Sequence, residues 1–220
     1  FGSVRRFHAV FVKTYGRSPR QLRDKQGRRR ARRQASLQLK LSYRPPFDWQ
    51  SMLAFLAYRA IPGVEVVTEN SYGRTFSLDG GQGHFEVRFG EQDNAVNVLI
   101  VAPQSRQLTH IVDRIRSLFD LRADSDKIDK KFSKDKLLSA VVKANPGLRV
   151  PGCWSGFEVA VRAILGQQVS VKAASTLVAR VVARHGSHYA ADHKPEGLDY
   201  VFPEAGQLAS ADLDNLGIVG

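Results

Sequence analysis

Residues 36–122 change hydrophobic period several times, and each change predicts an element. Leu37, Leu39 and Leu41 alternate with polar residues, the period of a half-buried strand, and Pro45-Pro46 stops it. After Asp48 the period becomes helical. Met52, Leu53, Phe55, Leu56 and Ile61 share one face, and Asp48 is placed to cap a helix running to about Ala60. Pro62-Gly63 turns the chain. Four strands are predicted next, over 64–68, 72–78, 84–88 and 95–101, broken by Asp79-Gly80-Gly81 and by the 90–94 turn. Gly80-Gly81-Gln82-Gly83 is read as a hairpin turn, because a phosphate loop needs a helix behind it. Leu108, Ile111, Val112, Ile115, Leu118 and Phe119 then mark an amphipathic helix over 105–118. One strand, a helix, four strands and a helix make an antiparallel α+β domain.

The rest of the chain is predicted helical. Helices are expected over 126–131 and 135–144. Phe157, Ala160, Val161, Ile164 and Leu165 fall at helical spacing, so that face is expected in the core. Gly166-Gln167-Gln168 breaks the pattern. Val169, Val171, Ala174, Leu177, Val178 and Val181 form a second helix ending near Gly186. Residues 186–203 have no period and read as a loop, and a further helix begins at Ser210. Leu208, Leu213 and Leu216 need partners that this sequence does not supply. Residues 123–220 are therefore expected to show apolar surface. Before the sheet, Phe7, Val10, Phe11 and Tyr15 form a short helix face that Gly16 ends, and Ser18-Pro19 opens a second turn.

Charge alters the picture at one end only. The first forty residues hold thirteen of the 33 Lys/Arg but one of the 21 acids, Asp24; the remaining residues hold twenty of each. The whole excess of +12 thus sits in that segment, and Arg28 to Arg33 suits either a solvated tether or a polyanion. Residues 24–35 lack an apolar face and read as a basic linker. No apolar run nears the roughly 18 residues of a membrane span. One cysteine, Cys153, excludes an internal disulfide and a cysteine zinc cluster, and an intracellular setting fits.

Residues 146–171, PGLRVPGCWSGFEVAVRAILGQQVSV, resemble the entry into the catalytic domain of the AlkA-type 3-methyladenine DNA glycosylase II proteins, of the helix-hairpin-helix glycosylase superfamily. Arg44-Pro45-Pro46-Phe47-Asp48-Trp49 and Leu118-Phe119-Asp120-Leu121 are similar to landmarks of that family's N-terminal domain. Residues 1–23 resemble the end of an AraC-type helix-turn-helix domain. The resemblance implies four pieces: a helix-turn-helix tail (1–23), the basic linker (24–35), a whole α+β domain (36–122) and the first part of a helical glycosylase domain (123–220). It implies excision of alkylated purines in base excision repair, as in bifunctional adaptive-response regulators, on double-stranded DNA in the bacterial cytoplasm and nucleoid. A monomer is expected, with no cofactor, no metal and no membrane.

Such chemistry needs the base out of the stack, a pocket for it, and cleavage of the glycosidic bond. By the resemblance, Gln168 stands where the family inserts a wedge from the inter-helix turn, and Gln167 beside it faces the pocket. The family's wedge is apolar; the alternative for both amides is to satisfy backbone at the junction. Alkylated purines are electron-poor and drawn to aromatic faces, and Phe55 matches a pocket position, with ordinary core packing as its alternative. Ser3, Val4, Arg5 and Arg6 would begin a helix entering the major groove, with Lys13 or Arg17 near phosphates. The family's hairpin and catalytic aspartate are expected beyond Gly220, which makes this chain by itself a catalytically silent portion of a longer protein.

Other residues read as structural. Trp49 and Trp154 suit packing anchors, Cys153 a buried thiol, and Asp192, Asp199, Asp212 and Asp214 loop or cap positions. His185, His188 and His193 lack the acids or thiols of a metal site, and His8, His84 and His110 are scattered. The rival reading is a non-catalytic DNA-binding or transcription-regulating protein on a degenerate glycosylase scaffold. A downstream Gly-rich hairpin followed by an aspartate separates the two.

Overall fold

The computed structural model describes residues 35–90, 92–102 and 107–211, together with Ser3, Arg5, Arg6, His8, Ala9, Val12 and Ser18. Val4, Phe7, Val10, Phe11, Lys13, Tyr15, Arg17, the basic run 24–34 and Asp212, Leu213, Asp214 and Leu216 lie outside the described residues. Ala35, the expected end of the linker, already belongs to the first strand.

Five strands form one antiparallel sheet: β1 (Ala35–Ser42), β2 (Glu65–Val67), β3 (Ser71–Leu78), β4 (Gly81–Gly90) and β5 (Ala95–Ala102), in the order β1-β5-β4-β3-β2. Asp79 and Gly80 join β3 to β4, and both take left-handed backbone, as a two-residue hairpin turn that follows sheet twist requires. Two helices, α1 (Trp49–Arg59) and α2 (Leu108–Leu118), cover one face. The Asp48 carboxylate accepts the Ser51 N–H at 2.9 Å and starts α1. Beneath them Leu39, Leu41, Tyr72, Phe76, Phe85, Val87, Val98 and Ile100 meet Leu53, Ile111 and Ile115. Trp49 stacks between Phe89 and Phe119, with ring centres 5.7 and 5.4 Å away.

The other face of β3 and β4 is closed by residues 189–201. Thr75 Oγ1 donates to the Tyr200 carbonyl at 2.6 Å, and His84 Nδ1 lies 2.7 Å from the Tyr189 hydroxyl. That double cover buries nearly every residue of β3. The segment expected as a plain loop contains two short paired strands, β6 (Ser187–His188) and β7 (Tyr200–Val201).

The helical part comprises α3 (Ser125–Phe132), α4 (Ser139–Ala144), α5 (Gly156–Leu165), α6 (Val171–His185) and α7 (Ala205–Ala209). Ser155 and Ser170 cap α5 and α6 by accepting the N–H of Glu158 and Ala173. A second, smaller cluster of Ile61, Val64, Val178 and Val182 ties the end of α1 to α6. Helix α4 begins later than its apolar pattern implies. The Asp135 carboxylate accepts the N–H of Leu137 and Leu138 and its carbonyl accepts the N–H of Ser139, a capped turn that leads into the helix.

Helix α5 departs most from expectation. Phe157, Ala160 and Ile164, expected in the core, are exposed, Ile164 at 65%. The buried residue of α5 is Glu158. A charged partner on the sheet decides which face turns inward.

Candidate functional site

The chain reaches α5 through residues 146–155, fixed by one cation and one glycine. Arg149 is buried, and among the described residues no carboxylate forms an ion pair with its guanidinium. It donates instead to the carbonyls of Asp120 (2.5 Å), Arg44 (2.5 Å), Pro46 (3.3 Å) and Ala123 (3.5 Å), and its plane lies 4.5 Å from the Phe47 ring centre. Burial pulls its pKa below the usual arginine value, with Asp120 opposing. Gly152 lies so close to the Ser117 carbonyl that a Cβ there would overlap it. With the backbone pressed onto α2, Cys153 turns outward, and the thiol expected to be buried is exposed. Trp154 turns inward onto Phe76 and Phe85, at 5.5 and 5.2 Å.

Helix α5 then docks through charge. Arg74 of β3 shares the inward face of Tyr72 and Phe76 and is 1% exposed. Its Nη2 donates to Glu158 Oε2 at 2.6 Å and its Nη1 to Glu65 Oε1 at 3.3 Å. Arg162, one turn after Glu158, donates through Nη2 to Glu65 Oε2 at 2.6 Å and to Glu158 Oε1 at 2.8 Å. Glu65 also accepts from the Tyr72 hydroxyl at 2.5 Å and from the Ile61 N–H at 2.9 Å. Two guanidinium and two carboxylate groups thus balance inside the fold. Burial alone would raise the Glu158 pKa, but Arg74 and Arg162 outweigh it and hold the carboxyl below the usual glutamate range. Burial alone would lower Arg74, and Glu158, Tyr72 and Glu65 together hold it above its ordinary value. The Tyr72 hydroxyl is pushed well up by burial and by Glu65. Sequence reasoning missed this cluster, although its signal was present: Arg74 falls on the apolar face of its own strand, and Glu158 and Arg162 stand four apart on a helix.

The turn after α5 carries the two amides singled out by resemblance. Gly166 N–H donates to the Arg162 carbonyl at 2.9 Å, and a Cβ at Gly166 would come within 2.9 Å of that oxygen. A side chain at this position would require that carbonyl to give way. Gln167 and Gln168 follow, both exposed, with Gln168 at φ 60°. A non-glycine residue in that left-handed region carries a local cost, of about 1–2 kcal/mol by chirality alone. The turn projects two uncharged, hydrogen-bonding side chains from the junction of two helices.

Phe55 lies on the outer side of α1, 39% exposed, with the Arg59 guanidinium 3.9 Å from its ring centre. It is outside the buried core. The Arg59 carbonyl, at the end of α1, accepts from Arg162 Nη1 at 2.7 Å. Helix α1, which carries Phe55, and helix α5, which leads into the Gln167–168 turn, are thus joined by one side chain. Ser3, Arg5 and Arg6 are exposed; Arg5 and Arg6 have helical backbone, and the Arg6 N–H donates to Ser3 Oγ at 3.1 Å, the hydrogen bond of a capped helix start.

The remaining candidates are dispersed. Asp199 pairs with Lys194 at 2.7 Å, and Asp192 is exposed in a turn. His185 ends α6, and the His188 ring packs edge-on to Tyr200. Among the described residues no three His, Cys, Asp or Glu side chains gather as a metal set, and no helix is long and apolar enough to cross a membrane. A cavity of about 220 Å³ opens at the start of α5, lined in part by Ser77, Arg114, Trp154, Phe157, Phe202 and Glu204.

Residues 38–155 match the family model of the AlkA N-terminal domain. The chain is 36% identical over 222 residues to a "probable bifunctional transcriptional activator/DNA repair enzyme AlkA" of Mycobacterium tuberculosis, covering 99% of this chain and 44% of that protein. It is 34% identical over 180 residues to the DNA-3-methyladenine glycosylase 2 of Escherichia coli, covering 82% of this chain and 60% of that protein. The chain thus spans about half the length of these curated relatives. In solved structures its fold is similar to that of a 3-methyladenine DNA glycosylase from Archaeoglobus fulgidus, with a TM-score of 0.67 and 20% identity over 80% of this chain and 60% of that one.

Proposed function

The chain belongs to the AlkA family of DNA glycosylases, and on that footing we propose that the protein removes alkylated purines from double-stranded DNA by hydrolysing their glycosidic bonds. The observation that carries the proposal is the α5–α6 turn. It projects Gln168 and Gln167, exposed and uncharged, from a backbone pinned by Gly166. An extruded base leaves a gap in the stack and a partner base with unsatisfied edges; an amide can fill the one and hydrogen-bond the other. In this reading Phe55 offers the electron-poor base the ring face that Arg59 does not cover, which its partial exposure supports.

The reading keeps four pieces: 1–23 as the end of a helix-turn-helix unit, 24–34 as a basic tether, 35–122 as the sheet domain and 123–220 as the opening of the helical domain. The M. tuberculosis relative named as both activator and repair enzyme aligns over nearly the whole chain, and this favours a second, promoter-binding role for the first piece. Ser3, Arg5 and Arg6 would carry it, and the basic excess of the first forty residues would add a strongly salt-dependent hold on phosphate. The 220 residues alone are proposed to be catalytically silent. Glu65 and Glu158 are buried and committed to arginines, which leaves neither free to assist departure of a base.

Release of methylated purines from alkylated duplex DNA tests the reading. The full-length gene product should release them, and Phe55→Ala and Gln168→Ala should each slow release by about tenfold or more. The 220-residue chain should release none. A full-length product that binds DNA yet frees no base would leave the non-catalytic scaffold as the better account.

A further inference from the structure

We infer that Arg162 is a positioning residue for base extrusion, holding the Phe55 helix and the Gln168 turn in fixed relation. The inference rests on the proposed roles of those two residues and adds how they are kept in step. Arg162 spends its guanidinium on three separate elements. Nη1 holds the Arg59 carbonyl at the end of α1 at 2.7 Å. Nη2 holds Glu65 of β2 at 2.6 Å, and Nη2 and Nε hold Glu158 of α5 at 2.8 and 3.1 Å. Its own carbonyl receives the Gly166 N–H that closes the turn. A shift of the end of α1 is therefore passed, through one rigid planar group, to the residue that sets the turn.

The geometry suits guanidinium and not ammonium. Three acceptors lie in different directions, and a planar fork meets them together, whereas a lysine point charge cannot span them. Glu65 and Glu158 are oriented independently, by the Ile61 N–H, the Tyr72 hydroxyl and Arg74, so the acceptors stay in place when Arg162 changes. The Arg162 side chain is a quarter exposed, against 2% for Arg74. Arg74 closes the core, and Arg162 sits at its rim, beside the parts proposed to meet DNA.

Arg162→Lys in the full-length protein tests this. Two substrates would be compared: a methylated purine paired in duplex DNA, and the same lesion opposite an abasic site, where no partner base holds it in the stack. The expected result is a fall of about tenfold in kcat on the paired lesion, with KM within about twofold. On the orphaned lesion the loss should shrink to about twofold or less, and a 2-aminopurine beside the paired lesion should brighten more slowly. Arg162→Gln with Glu158→Gln, which cuts the tie and leaves Arg74 and Glu65 as a neutral pair, should give the same pattern, and it serves if the lysine variant does not fold. Equal losses on both substrates, or no loss on either, in whichever variant folds, would overturn the inference. Insensitivity of excision to both Phe55→Ala and Gln168→Ala would instead sink the functional reading beneath it.

Discussion

The sheet half and the helical half of this chain bury different chemistry. The sheet buries aromatic and aliphatic side chains in one continuous cluster, from Leu39 to Trp154. The helical half has a small apolar cluster, and α5 meets the sheet through Glu158 and Arg162. Apolar packing is non-directional and proportional to area, whereas a guanidinium–carboxylate lattice is directional and fails if one member is missing. The first gives the sheet its stability; the second fixes the angle at which α5 leaves it. Meanwhile Leu137, Val150 and Ile164 stand open, at 86, 79 and 65%.

The sharpest way to break the comparison is to remove one charge. Arg74→Met should cost about 3–5 kcal/mol in denaturant unfolding, because Glu158 and Glu65 are left under-compensated in the interior. Arg74→Met with Glu158→Met leaves Arg162 and Glu65 as a neutral pair and should recover most of the loss. Additive losses would mean that the cluster acts as separate contacts.

A smaller effect lies on the outer sheet face. His84 is fully buried, and burial, opposed by Glu86, lowers its pKa. The folded state therefore favours neutral histidine. Its contribution is complete above the ordinary histidine value of about 6.5 and is lost as pH falls below it toward the depressed folded value. Stability measured across that window should decline in the natural protein, and His84→Gln should flatten the decline.

Smaller still, Gln168→Gly relieves a left-handed glutamine but adds chain freedom to the unfolded state. Stability should change by about 1 kcal/mol or less, while lesion excision by the full-length protein falls as it does for Gln168→Ala. A large loss of stability would show that the amide holds the turn together. Least of all, Ile164→Ser should move the unfolding free energy by about 0.5 kcal/mol or less, since the side chain is already in water. A cost of 2 kcal/mol would place it in a core.

Much of the fold was legible because its signals are local. The alternation of Leu37, Leu39 and Leu41, the Asp48 cap and the Asp79-Gly80 turn each need only a few neighbouring residues. The inward turn of Trp49 and Trp154 followed in the same way. The Gly166-Gln167-Gln168 break was visible for a similar reason, as glycine in a helical pattern followed by two amides. Other features could not be read. The exposure of Cys153 depends on Gly152 pressing against Ser117, thirty-five positions earlier. The inward face of α5 depends on Arg74, eighty-four positions before Glu158.

What the sequence determined by itself was therefore the order of strands and helices in the sheet domain, the turns between them and a compact stretch of family resemblance, because backbone preference and side-chain period act over a few residues. What only the tertiary structure decided was which charges meet. A helix with an apolar face and a salt-bridged face can dock either way, and the choice falls to a partner elsewhere in the chain. Here the unpaired charge of a buried Arg74 would cost more than the exposure of Phe157 and Ile164, so α5 turns its glutamate inward.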